Sequence, residues 1–132
     1  MSVVFDTNVL VSALAFPGGR GEEALRRIVD ERDVLILSKP ILDELLGVLA
    51  RKFSRDAEEL AHTAVFLTAL AVMAKPTRRL RVVADDADNR ILECAVAGRA
   101  DAIVTGDQAL LGLREYREIR LRSLRDYLIQ PG

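Results

Sequence analysis

Three short, unbroken apolar runs constrain the fold of this chain more than any other feature. They are Ser2-Val3-Val4-Phe5, Val34-Leu35-Ile36-Leu37 and Ala102-Ile103-Val104, and each is followed at once by polar residues: Asp6, Ser38 and Thr105-Gly106-Asp107. A run with no polar alternation is a strand covered on both faces, and such strands belong to parallel sheets. The stretches between the runs carry apolar residues at helical spacing. Alternating strands and helices imply a three-layer α/β/α architecture with a mostly parallel central sheet. Hydrophobic residues make up 50% of the chain and aromatic ones only 5%, so the core is aliphatic, which argues against an aromatic-rich β-sandwich. With 132 residues, one domain over 1–132 is expected.

The expected elements follow in order. A strand over 2–6 leads into a short helix at 9–15. Pro17-Gly18-Gly19-Arg20-Gly21 reads as a loop, and a helix over 22–30 follows it. After the strand at 34–37, Ser38 is placed as an N-cap with Pro40 in the first turn, and a helix runs over 41–49. Asp56 caps a longer helix over 57–74, ended by Pro76. Leu80–Val83 reads as a short strand, 89–97 as a helix stopped by Gly98, 102–105 as a strand and 108–113 as a short helix. Ile119–Leu121 is expected as an edge strand, with 123–129 as the last helix.

Four acidic residues stand where such a sheet gathers ligands, beyond the carboxyl ends of its strands. Asp6 and Asp107 directly follow two of the strands. Glu44 lies one turn into the helix after Ser38, and Asp88 opens a helix in Asp85-Asp86-Ala87-Asp88-Asn89. Carboxylates from four separate segments suit Mg²⁺ or Mn²⁺, hard cations that take oxygen ligands. At an effective dielectric near 20 and about 6 Å apart, each carboxylate pair repels by roughly 3 kcal/mol. A divalent cation removes that cost, activates water and stabilises charge on a phosphate. Metal-assisted phosphoryl chemistry is therefore the expectation, with Asp107 able to orient the attacking water.

The order of the motifs resembles the PIN-domain nucleases, in particular the VapC-like toxins of toxin–antitoxin pairs. The residues that carry the resemblance are Val3-Val4-Phe5-Asp6-Thr7-Asn8, Ser38-x-x-Ile41-x-x-Glu44-Leu45, Asp85-x-x-Asp88-Asn89 and Ile103-Val104-Thr105-Gly106-Asp107. It spans residue 2 to about 126. It implies that Asp6, Glu44, Asp88 and Asp107 form the catalytic metal site, with Asn8 and Thr105 orienting carboxylates or the scissile phosphate. The family's third acid precedes an alanine by seven residues, as Asp88 precedes Ala95, and Asp85 is a neighbouring helper one turn away. The resemblance further implies an RNA substrate, a small antitoxin partner and pairing into a homodimer. The helix over 57–74 is apolar on more than one face and suits that pairing.

Each acid also has a plain reading, as a helix cap, a turn residue or a solvated helix position, but those readings leave the ordered coincidence unexplained. Other chemistry is poorly supported. His62 is the only histidine and Cys94 the only cysteine, which argues against a histidine metal site, a Ser–His–Asp triad and a disulfide framework. Gly18-Gly19-Arg20-Gly21 lacks the Lys-Ser/Thr of a phosphate-binding loop. The net charge of −1 argues against bulk adhesion to nucleic acid and leaves room for a local basic rim. With no leader pattern and no apolar stretch long enough for a bilayer, a cytoplasmic location is expected. Rival readings are a housekeeping nuclease of the same fold, a phosphate-accepting signalling domain and a non-catalytic binding module.

Overall fold

A computed structural model describes residues 1–129; residues 130–132 of the expected domain lie outside the described residues. The elements are β1 (Ser2–Phe5), α1 (Thr7–Ala15), α2 (Arg20–Val29), β2 (Val34–Leu37), α3 (Lys39–Lys52), α4 (Ala57–Leu70), β3 (Val72–Met73), α5 (Asp86–Gly98), β4 (Ala102–Val104), α6 (Gln108–Leu111), β5 (Glu115–Tyr116), β6 (Ile119–Arg122) and α7 (Leu124–Ile129). The strands form one sheet in the order β3-β2-β1-β4-β6-β5. Every pairing is parallel except β5 with β6. The expected α/β class with a mostly parallel sheet is what the chain adopts.

The unbroken apolar runs fill the middle of this sheet. Val3, Val4 and Phe5 of β1, Leu35 and Leu37 of β2, and Ile103 and Val104 of β4 are wholly buried. Helices α7, α2, α1, α3 and α4 contact one another in that order, while α5 lies against β1, β2 and β4. Right-handed crossovers account for the two layers, because the chain steps one way from β1 to β2 to β3 and back again to β4. At the amino end, Asp33 accepts the Tyr127 hydroxyl at 2.5 Å and the Met1 ammonium at 2.9 Å. Burial alone would raise the Asp33 pKa, but these two groups and Arg27 outweigh it and hold the carboxyl below its ordinary range.

Four expectations are corrected. Residues 80–83 are not a strand. Their backbone groups bond to side chains of α5: Leu80 N–H donates to Glu93 at 2.8 Å, and Val82 and Val83 N–H both donate to Asn89 Oδ1 at 3.0 Å. The helix expected over 57–74 stops at Leu70, because Val72 and Met73 pair with Ile36 and Leu37 along the open edge of β2. An apolar run does not by itself distinguish these two outcomes. Strand β6 lies inside the sheet, since β5 covers it through a tight turn in which Arg117 and Glu118 have φ of 50° and 69°. That turn geometry favours Asn and Gly, so two charged residues gave no hairpin signal.

The fourth correction concerns Gly21, expected in a loop and found in the first turn of α2. A Cβ there would lie 2.6 Å from the backbone nitrogen of Ala13. The glycine is a contact point between α1 and α2, not a flexible linker. Smaller shifts extend α3 to Lys52 and start α5 at Asp86. Cys94 is wholly buried, and burial pushes its thiol up to about 11 while the Ser38 hydroxyl pulls the other way. It is a packing residue.

Candidate active site

The carboxyl ends of β1 and β4 are neighbours, since Phe5 pairs with Val104, so the residues just beyond them meet. Asp6 caps α1, with Oδ1 accepting the N–H groups of Asn8 at 2.8 Å and Val9 at 3.2 Å. Its second oxygen accepts the hydroxyl of Thr105. The same hydroxyl accepts the backbone N–H of Asp107 at 3.0 Å, and Asp107 in turn caps α6 through Leu110 N–H at 3.0 Å. Asp85 caps α5 through Ala87 N–H, which places Asp88 in the first turn of that helix. The capping reading of Asp6 is therefore correct and coexists with a shared cleft; Asp107, read as a turn residue, is also a cap, whereas α5 is capped by Asp85 and not by Asp86 or Asp88.

That cleft is lined by Asp6, Thr7, Asn8, Glu44, Asp88 and Asp107, with Ala87 and Ile91 as its apolar wall, and has a volume of about 40 Å³. A single water needs on the order of 15 Å³ on such a measure. The space suits an ion with a water or two and excludes a nucleotide base. The four expected acids all open onto it. Asn8 lines it as well, whereas Thr105 is buried beneath the floor and acts on Asp6 and Asp107 from below. Asp85 stands outside the lining, yet its charge raises both Glu44 and Asp88. The sequence reading assigned no separate role to Thr7, whose only signal was its place between Asp6 and Asn8.

Electrostatics inside the cleft are unfavourable for the protein alone. Burial raises the Asp6 carboxyl, with Asp107 adding to the rise, while Thr105 and the N–H groups of Val9 and Asn8 oppose it. Glu44 is raised by burial and by Asp85 and Asp6, against Arg51 and Thr7. Asp88 is raised most, from 3.8 to about 7, by burial, by the charges of Asp107 and Asp85, and by the closeness of the Asp107 side chain and the charge of Asp6. Oδ2 of Asp88 is buried without a hydrogen-bond donor, and the Thr7 hydroxyl is buried without a partner of regular geometry. Unpaired buried acceptors of this kind are costly and fit a cation. Among the described residues, no three carboxylate, imidazole or thiolate groups yet stand close enough to hold one ion together. The capping bonds keep Asp6 and Asp107 turned partly toward their helices.

The family described as PIN domain matches residues 2–109, a span that contains all four acids. The uncharacterized protein MJ1680 of Methanocaldococcus jannaschii is 31% identical over 119 residues, which cover 87% of this chain and 76% of that protein. Two solved structures share the fold. VapBC2 from Rickettsia felis, bound to a DNA fragment from their promoter, aligns with a TM-score of 0.67 at 16% identity, covering 93% of this chain and 98% of that one. VapBC-1 from nontypeable Haemophilus influenzae aligns with a TM-score of 0.57 at 16% identity, covering 95% and 99%.

The raised acids set a pH dependence. A carboxyl raised by folding leaves stability intact below its unfolded pKa and removes it as pH climbs through the folded value. For Asp88 that window runs from 3.8 to about 7, and Asp6 and Glu44 act in the same direction. In a chelator, urea denaturation should show the protein weaker at pH 8 than at pH 5, and Asp88→Asn should flatten the difference. An unchanged slope in the variant would contradict the assignment of Asp88 to the strained cleft.

Proposed function

The chain belongs to the PIN-domain family, and from that premise we propose that it is a Mg²⁺- or Mn²⁺-dependent endoribonuclease, the toxin of a toxin–antitoxin pair. The observation that carries this reading is the opening of Asp6, Glu44, Asp88 and Asp107 onto one small cleft, with an acceptor of Asp88 buried and undonated. The residues that would hold the metal are those four. When bound, the cation supplies charge compensation for the carboxylates and for the phosphate under attack. The protein does the rest by position. Thr105 orients Asp6, and the backbone of Asp107 is fixed through the same hydroxyl. Asp88, raised to about 7 beside Asp107, is suited to take a proton from an attacking water near neutral pH. Asn8 offers an amide donor to the phosphate, and Asp85 tunes the charge of Glu44 and Asp88.

An antitoxin is inferred from likeness to VapBC2 and VapBC-1, and it would act by placing a cation against the four acids, because partners that bury charge pair it. A homodimer is part of the same proposal. On α4 only Leu67 is fully buried, while Val65 is 67% and Phe66 42% exposed, and Val72 and Met73 of β3 are exposed beside them. Apolar surface of this kind supports a second copy as its cover. No helix among the described residues is long and apolar enough to cross a membrane, and action on RNA in the cytoplasm is proposed.

Three measurements test these statements. The purified protein should cleave RNA in Mg²⁺ or Mn²⁺ and stop in EDTA, and Asp6→Asn or Asp107→Asn should each lower turnover by at least about 100-fold without unfolding the chain. Full activity in both variants would remove the mechanism. Induced expression should arrest growth, whereas Asp6→Ala at equal soluble level should be harmless. A harmless wild type would leave a nuclease of RNA maturation and discard the toxin reading. Sedimentation at tens of micromolar should give a dimer; monomer alone would sink the pairing.

A further inference from the structure

Beside the acidic cleft lies a groove of about 320 Å³ lined by five cations, Lys39, Lys75, Arg78, Arg79 and Arg90. Its acid, Glu93, is buried and already committed, accepting Leu80 N–H at 2.8 Å and Arg90 at 3.0 Å. Lys39 pairs with Asp43 across a solvated helix turn. Lys75, Arg78 and Arg79 are exposed, and among the described residues no carboxylate stands within ion-pair distance of them. In a chain of net charge −1, this concentration of uncompensated positive charge is local and needs an anionic counterpart.

Position identifies the counterpart. Lys39 follows the carboxyl end of β2, and Asp6 follows the carboxyl end of β1, its neighbour in the sheet. Lys75 to Arg79 follow β3, on the far side of β2. Two helices border both sites: α3 brings Lys39 to the groove and Glu44 to the cleft, and α5 brings Arg90 to the groove and Asp88 to the cleft. The groove and the cleft are thus successive openings along one sheet edge, with neighbouring strands about 4.8 Å apart. The cleft has room for an ion with a water or two, and its own charge repels a polyanion. Affinity for a nucleic-acid strand must come from elsewhere along that edge.

Building on the nuclease reading, we propose that this groove grips the phosphate backbone of a single-stranded RNA on one side of the scissile bond, with Lys75, Arg78 and Arg79 as the phosphate contacts. These three residues follow β3 and line the groove, and none of them lines the acidic cleft. They position substrate and take no part in the chemistry.

The test measures binding of a labelled single-stranded RNA of about 12 nucleotides in EDTA, across a salt series, with cleavage assayed separately in Mn²⁺. Lys75→Ala/Arg78→Ala/Arg79→Ala should weaken binding about tenfold or more. It should also lower the salt slope by about 2, at about 0.7 per phosphate contact. A charge-matched control at the amino end of the sheet, Arg32→Ala/Arg99→Ala/Arg120→Ala, should bind nearly as the wild type does. Equal losses in both variants would reduce the groove to bulk charge and overturn the proposal. If the wild type cleaves RNA while the groove variant binds it unchanged, the groove assignment fails and the nuclease stands. If the variant loses only binding to an acidic peptide, the groove is a protein-docking surface and the proposal is wrong. A wild type that neither binds nor cleaves RNA ends both readings.

Discussion

The Thr105 hydroxyl, wholly buried at the end of β4, donates to Asp6 at the end of β1 and accepts the backbone N–H of Asp107. One small side chain thereby joins two strand ends and two of the four acids. A hydrogen bond to a charged group is worth about 1.5–3 kcal/mol, and here it opposes the rise that burial imposes on the Asp6 carboxyl. The Asn8 and Val9 N–H groups complete the support. Without these donors, burial of a carboxylate only 5% exposed would raise it further. The parallel pairing of β1 with β4 is what brings the donors and the acid together.

The same arrangement carries an unrelieved cost. Both oxygens of Asp6 and one of Asp107 are taken up by donors of the fold, while Oδ2 of Asp88 is buried in the same cleft without a donor. Burial and mutual repulsion raise Asp88 to about 7. Structural ion pairs normally hold carboxylates below their ordinary range, as Asp33 shows at the opposite end of the sheet. The two ends of one sheet thus treat acids in opposite ways. At the amino end the charge is matched and buried for stability; at the carboxyl end it is left unmatched, the pattern of a functional site.

Polar satisfaction also explains the local departures from simple pattern reading. Residues 80–83 have the apolar look of a strand, yet Glu93 and Asn89 of α5 take their N–H groups. Those bonds hold the approach to Asp85 and Asp88, so the buried pair Asn89 and Glu93 positions the start of the acid-bearing helix. Gly21 shows the complementary case. Its apparent loop chemistry hides a steric requirement, since α1 and α2 touch backbone to side-chain position at that point.

From the residues alone one could place the three central strands, the alternation that makes the sheet parallel, and the four acids with Asn8, Thr105 and Asp85 around them. Those features are local: an unbroken apolar run has one stable use, and an acid just past it must lie at the carboxyl edge. Neither Cys94, which is buried, nor His62, which is exposed, lines the acidic cleft. What the residues could not decide were matters of pairing between distant segments. Whether Val72–Met73 continues a helix or joins β2, whether β6 is an edge, and which of many arginines face one groove all depend on competition for backbone hydrogen bonds and on helix placement. Thr7 and Thr105 look alike in sequence, each within two residues of an acid. Only the packing of β1 against β4 buries one beneath the cleft as a donor to Asp6 and leaves the other in its wall, because that contact is made across 99 residues of chain.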